Sequence, residues 1–209
     1  MNIEIKNKLI IISSPSGAGK TTLCKMILKK VKNVMLSISY TSRSKRLNEI
    51  EGKDYYFLSK EKFSQLEKNN YFLETCKNFN NYYGSPIKNI RKSNFLNKNI
   101  LFDIDWKGAR KIRKKFKKND VIDIFILPPT VKELKKRLIK RGRDSKKEIE
   151  LRLSYALEEI KHYNEYKYVL INQNIHETAK DIINIIKYHD IIKKNNKLLD
   201  KKLKKLINF

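Results

Sequence analysis

The sequence predicts an α/β fold, a largely parallel sheet core flanked by helices. Three observations point to it. Short apolar runs alternate with longer segments whose apolar residues recur at helical spacing. The runs stop abruptly, at Ser14-Pro15-Ser16-Gly17, at the acids Asp103 and Asp105, and at Pro128-Pro129. At 209 residues the chain is long enough for one well-packed α/β domain with small insertions and short for two. Strands alternating with helices in this way imply right-handed crossovers between parallel neighbours.

Residues 8–13 form a compact apolar run, read as a buried strand. A helix over 20–31 follows, with Leu23, Ile27, Leu28 and Val31 on its apolar positions. Residues 34–40 alternate loosely and read as a second strand. A loop bearing charges runs to Gly52, and the aromatic segment 54–59 has β character. Ser59 can cap a helix carrying Phe63 and Leu66. Residues 71–83 are aromatic-rich and strand-like, with Gly84-Ser85-Pro86 closing them. Further strands fall at 99–105 and 121–127. Thr130 with Glu133 makes a capping box for a helix through Ile139, and Ser145 with Glu148 makes one for a helix carrying Ile149, Leu153, Leu157 and Ile160. The last strand is 168–171, and Asn174 with Glu177 opens the final helix. Beyond Lys193 the chain is lysine-rich with leucines at helical spacing, which reads as a surface extension.

Composition narrows the class. With 40% hydrophobic and 33% charged residues the chain reads as soluble and globular. No run approaches the roughly 18 apolar residues that span a bilayer, and the N-terminus lacks the cleavage pattern of a secretory signal. Cys24 and Cys76 are far apart and form no C-x-x-C pair, so neither a disulfide framework nor a zinc site is expected. A cytoplasmic location is expected. The net charge of +26 comes mostly from lysine, in company with abundant asparagine and isoleucine. It reads either as drift toward A/T-rich codons or as a preference for polyanions, nucleotides included. No nucleic-acid motif accompanies it, so no specific nucleic-acid partner and no membrane partner is expected.

The strongest local signal is Ser14-Pro15-Ser16-Gly17-Ala18-Gly19-Lys20-Thr21-Thr22, set between a predicted strand and a predicted helix. Backbone N–H groups in a tight turn at a helix N-terminus bind phosphate without side-chain charge. Gly17 and Gly19 permit the turn, Lys20 can reach β- and γ-phosphates, and the Thr21 hydroxyl can ligate Mg²⁺. The P-loop pattern G-x-x-x-x-G-K-[ST] is met except at its first glycine, which is Ser14 here. That position only enters the turn. A P-loop NTPase-type core binding ATP is therefore expected.

Downstream, Ser39-Tyr40-Thr41-Ser42-Arg43 and Arg46 are followed by Glu49, Gly52 and Tyr55, then Glu74, then Asn81-Tyr82-Tyr83-Gly84-Ser85. Two arginines and two tyrosine hydroxyls can hold a dianionic phosphate from several directions. These segments resemble the guanylate kinases, whose S-x-T-T-R-x-x-R-x-x-E-x-x-G-x-x-Y-x-F and N-Y-Y-G-[ST] patterns they match almost throughout. Ser42 stands for the second threonine and Lys45 for the usual residue before Arg46. The resemblance implies that Arg43, Arg46, Tyr55 and Tyr83 bind the GMP phosphate. It places Glu74, Ser39, Ser85 and Asp105 around guanine. It also makes Asp103 and Asp105 the family's D-x-D, with Asp103 on the Mg²⁺ side, through water.

Arg137, Arg141 and Arg152 lie on or near two predicted helices flanking Gly142-Arg143-Asp144. A helical lid carrying arginines would close over the triphosphate and neutralise the transferred group. By resemblance, Lys20, Asp103, Arg137, Arg141 and Arg152 make up the catalytic set. The implied layout is a kinase-like domain over 1–189, with core segments 1–41, 93–133 and 159–189. A small α+β GMP-binding insertion spans 42–92, a helical lid 134–158, and a lysine-rich extension 190–209. The implied activity is ATP-dependent phosphorylation of GMP and dGMP with Mg²⁺. Competing expectations are a catalytically silent scaffold module of the same fold, a charge-driven nucleic-acid binder, and a kinase acting on AMP or CMP. The intact Gly17, Gly19, Lys20 and Thr21 speak against the first, and Glu74 against the last.

Overall fold

The computed structural model describes residues 3–78, 80–140 and 146–207. Its centre is β1 (Leu9–Ser13), every residue of which is buried. Four strands flank it: β2 (Val34–Leu36), β7 (Asn99–Asp103), β8 (Val121–Leu127) and β9 (Tyr168–Ile171). The order is β2-β7-β1-β8-β9, and every neighbouring pair is parallel. Side chains alternate across a strand, so Ile10 and Ile12 face one side of the sheet and Leu9 and Ile11 the other. The first side packs with Leu23 and Ile27 of α1 (Lys20–Lys30) and Ile182 and Ile186 of α7 (Ile175–Ile207). The second packs with Ile90 of α3 (Lys88–Phe95) and Ile112 of α4 (Trp106–Lys115). Near-continuous apolar strands follow from burial on both faces.

A second sheet orders β4 (Tyr56–Phe57), β3 (Tyr40–Thr41), β6 (Asn81–Pro86) and β5 (Phe72–Asn78) as β4-β3-β6-β5. Here the structure corrects three expectations. Residues 34–40 are not one strand: β2 belongs to the core sheet, and the chain then leaves it at Ser37, whose N–H still reaches Leu101 O, to enter the second sheet as β3. The aromatic stretch is a hairpin, turned near Asn80, which takes a left-handed φ of 61. Gly84-Ser85-Pro86 does not close it but runs inside β6. Gly84 is needed there because a Cβ would stand 2.9 Å from Phe72 and 3.1 Å from Phe63. The sequence pattern predicts neither α3 nor α4.

The helix starts follow local chemistry. Ser59 accepts from Lys62 N and opens α2 (Lys60–Lys68), whose Phe63 stacks on Phe72 at 4.7 Å. Thr130 accepts from Glu133 N at the head of α5 (Val131–Lys140). Asn174 accepts from His176 N and Glu177 N to start α7, which runs unbroken to Ile207. Leu134 and Leu138 of α5 enclose Ala156 of α6 (Lys146–Ile160). Ser145 and Arg141 lie outside the described residues. Among the described residues no helix is long and apolar enough to cross a membrane.

Phe63 is fully buried and is the centre of the small core of the second sheet. Phe63→Ala is expected to cost about 3–5 kcal/mol in denaturant unfolding, from lost transfer energy and the cavity left behind.

Candidate active site

β1 ends in a loop whose last residue, Gly19, has a φ of 99 and precedes α1 directly. No side chain caps that helix and its first turn holds no acid, so the amides there remain for an external anion. A Cβ on Gly19 would meet Asn172 Nδ2 at 2.7 Å, and the same Asn172 amide holds the loop by donating to Ala18 O. Ser14, Pro15, Ser16, Gly17, Gly19, Lys20 and Thr21 line a cleft of about 290 Å³. Ala18 is buried behind them, and Thr22 does not line it.

The parallel register sets Ile12 opposite Asp103, so the acid at the end of β7 lies beside the loop that follows β1. Lys20 Nζ pairs with Asp103 Oδ1 at 2.7 Å and donates to Ile104 O at 3.1 Å. Burial disfavours the Lys20 charge, but Asp103 outweighs it and raises the pKa above that of an ordinary lysine. The Thr21 hydroxyl donates to Asp103 Oδ2 at 3.2 Å. A hydroxyl and a carboxylate side by side are hard oxygen donors suited to Mg²⁺. Among the described residues no cluster of three or more His, Cys, Asp or Glu could hold a metal ion, so an ion at this corner would need further oxygen donors from a ligand.

The opposite wall is the β5–β6 hairpin, and it is built from directly opposed pairs. Glu74 faces Ser85, Cys76 faces Tyr83, and Asn78 faces Asn81. Of these six, all but Ser85 line the cleft, together with Ser39 and Tyr55. Ser85 is fully buried beneath it, donating to Glu74 Oε1 at 2.6 Å and sitting 3.4 Å from the Ser39 hydroxyl. Glu74 is itself buried, and its Oε2 has no protein partner. Burial raises its pKa to about 7; Ser85 opposes the shift and Asp105 adds to it. A Cβ on Gly108 would lie 2.6 Å from Oε2, so glycine is required there for the carboxylate to fit. Asp105 caps α4 by accepting from Gly108 N at 2.8 Å and also lines the cleft.

Arg43 is aimed by Glu49, whose two oxygens accept from both terminal nitrogens at 2.5 and 2.7 Å. Its guanidinium lies 5.0 Å from the Tyr55 ring centre. Glu49 also accepts from Arg46 N, and both arginines reach the cleft. Arg152 of α6 lines it as well. Arg137 does not line it: its guanidinium donates to Glu133 at 3.0 Å and to Asn172 O at 3.3 Å. The cleft adds Cys76, Asn78, Asn81, Ile104 and Glu159 to the residues singled out from sequence. Alternation along a strand from Glu74 through Cys76 to Asn78 could have found two of them.

The family model described as guanylate kinase matches residues 6–206. The guanylate kinase of Rickettsia prowazekii (strain Madrid E) is 47% identical over 189 residues, covering 89% of this chain and 93% of that protein. The guanylate kinase of Mycoplasma mobile is 45% identical over 185 residues, covering 86% and 92%. The crystal structure of guanylate kinase from Anaplasma phagocytophilum superposes with a TM-score of 0.73 at 35% identity, over 87% of this chain and 85% of that one.

Glu74 makes a prediction about stability. Its pKa is higher folded than unfolded, so its contribution is full below the unfolded value near 4.5 and is lost as pH rises to about 7. The ligand-free protein is expected to lose roughly 3 kcal/mol across that window from this group. Glu74→Gln should flatten that part of the profile and be the more stable protein at pH 8, as read by urea midpoints across pH.

Proposed function

The chain belongs to the guanylate kinase family, and on that premise we propose that it transfers the γ-phosphoryl of ATP to GMP, with dGMP as a further acceptor. The observation that carries the substrate assignment is Glu74, a buried carboxylate with one oxygen unpartnered, in the same cleft as the phosphate loop. Guanine presents N1–H and a 2-amino group side by side, and one carboxylate accepts from both. Adenine has an acceptor at N1 and no 2-amino group, which leaves the buried acid unpaired and costs its desolvation. Ser39, Ser85 and Asp105 complete the base site. Arg43, Arg46, Tyr55 and Tyr83 take the GMP phosphate, with Glu49 holding Arg43 in place before substrate arrives.

ATP lies in the phosphate loop, its β- and γ-phosphates on the loop amides and Lys20. Thr21 and Asp103 would hold Mg²⁺, Asp103 through water, and the ion would supply neutralisation of the phosphate charge. Arg141 and Arg152 are assigned to the transferred phosphoryl. Arg137 ranks behind them, because it reaches the cleft only by leaving Glu133. The acceptor is an ionised phosphate, so no general base is needed, and the rate comes from alignment and charge stabilisation. Lid closure excludes water, which would otherwise accept the phosphoryl. A cytoplasmic setting fits the free thiols of Cys24 and Cys76.

The test is ADP formation with ATP and Mg²⁺ and each of GMP, AMP, CMP and UMP. Turnover is expected with GMP alone. Glu74→Gln should lower kcat/KM for GMP on the order of a hundredfold or more, and Lys20→Ala should abolish turnover. Comparable rates with AMP would contradict the base assignment. GMP binding without turnover would make the chain a binding module.

A further inference from the structure

Glu159 lines the same cleft and has no part in the chemistry just described. It sits in the last turn of α6, and its Oε2 accepts from the backbone N–H of Ser16, in the phosphate loop, at 3.1 Å. Burial pushes its carboxyl up, while the Ser16 amide and Lys20 pull the other way. A carboxylate held partly out of water beside a site for phosphates carries a cost. What it gains is a direct tie between the lid helix and the loop.

Position along α6 says what the tie controls. Arg152 lies seven residues earlier, two turns along the same helix, and therefore on the same face. Ala156 lies between them and is fully buried against Leu134 and Leu138. Ile149 and Leu153 of the same helix pack against that cluster as well, and apolar contacts of this kind lack the directionality of a hydrogen bond. Beyond the helix, His162 stacks on Trp106 with ring centres 3.5 Å apart, which anchors the end of α6 to α4. A direct, directional polar link between α6 and the phosphate loop is that of Glu159 to Ser16.

We propose that Glu159 is a positioning residue: its hydrogen bond to the Ser16 amide sets the roll of α6 and so keeps Arg152 turned toward the transferred phosphoryl. This rests on the assignment of Arg152 to that phosphoryl. The requirement is an acceptor at the right reach. Glutamine meets it through its amide oxygen, aspartate falls one methylene short, and alanine removes it.

The experiment measures kcat, both KM values and the melting temperature for Glu159→Ala, Glu159→Asp, Glu159→Gln, Arg152→Ala and the Glu159→Ala/Arg152→Ala double variant. Glu159→Ala and Glu159→Asp are expected to lose about ten- to a hundredfold in kcat with KM for GMP unchanged. Glu159→Gln should recover most of the rate. The double variant should be no slower than Arg152→Ala alone, because both act through one contact. Full kcat in Glu159→Ala, a glutamine variant as slow as the alanine one, or losses that multiply in the double variant would each overturn the proposal. So would a lower KM for ATP at undiminished kcat, which would mean that the carboxylate merely competes with the triphosphate. Undiminished kcat in Arg152→Ala would instead remove the lid assignment on which the proposal rests.

Discussion

The register between β1 and β7 governs the rest of this molecule. Ile12 lies opposite Asp103, so the strand that runs into the phosphate loop and the strand that ends in an acid finish side by side. All five core strands are parallel, which gathers their carboxyl ends at one edge, where ligands of such sheets bind. Only that alignment lets Lys20 span from the first turn of α1 to Asp103 and Ile104 O. A slip of one residue would turn Asp103 to the other face of the sheet and leave the half-buried Lys20 beside no acid. The apolar packing on both faces of β1 makes such a slip costly, so core packing holds the geometry of Lys20 and Asp103.

The second sheet works by a different rule. Its contribution to the cleft is a set of opposed pairs on one hairpin, in which one member of a pair can support the other. Ser85 beneath Glu74 is the clearest case: the buried hydroxyl satisfies one carboxylate oxygen and leaves the other for a ligand. Gly108 completes the arrangement from the core side by leaving room for that oxygen. In the proposed reading, substrate recognition depends on two sheets meeting, and on glycine where they meet. Glu49 has the same supporting part toward Arg43, since it fixes a cation that would otherwise spend its side-chain freedom on binding.

Much of this was legible in the sequence, for identifiable reasons. The phosphate loop could be read because Gly-Lys-Thr stood between an apolar run and a helical period. The central strands could be read because burial on both faces makes them continuously apolar. Ser59, Thr130 and Asn174 could be read because capping is local chemistry. The path from β2 to β3 was not, since a chain that changes sheets within a few residues keeps an extended pattern throughout. The hairpin was missed for a related reason. Its turn carries no glycine, only Asn80 in a left-handed conformation, while the conspicuous Gly84 serves packing. α3 and α4 are short and lysine-rich, which hides their apolar stripes. Arg137 joins the lid cations by resemblance, yet Glu133 four residues before it on the helix offers a nearer partner.

The central claim is that a buried carboxylate reads guanine by its adjacent donors. Inosine monophosphate keeps N1–H and lacks only the 2-amino group, so it isolates one of the two donors. Calorimetric titration of GMP and of inosine monophosphate onto the native protein and onto Glu74→Gln measures what that donor contributes. The account predicts at least a tenfold preference for GMP in the native protein, about 1.4 kcal/mol, and a preference largely lost in the variant. An undiminished preference in Glu74→Gln would contradict it, because the 2-amino group would then be read by something other than Glu74.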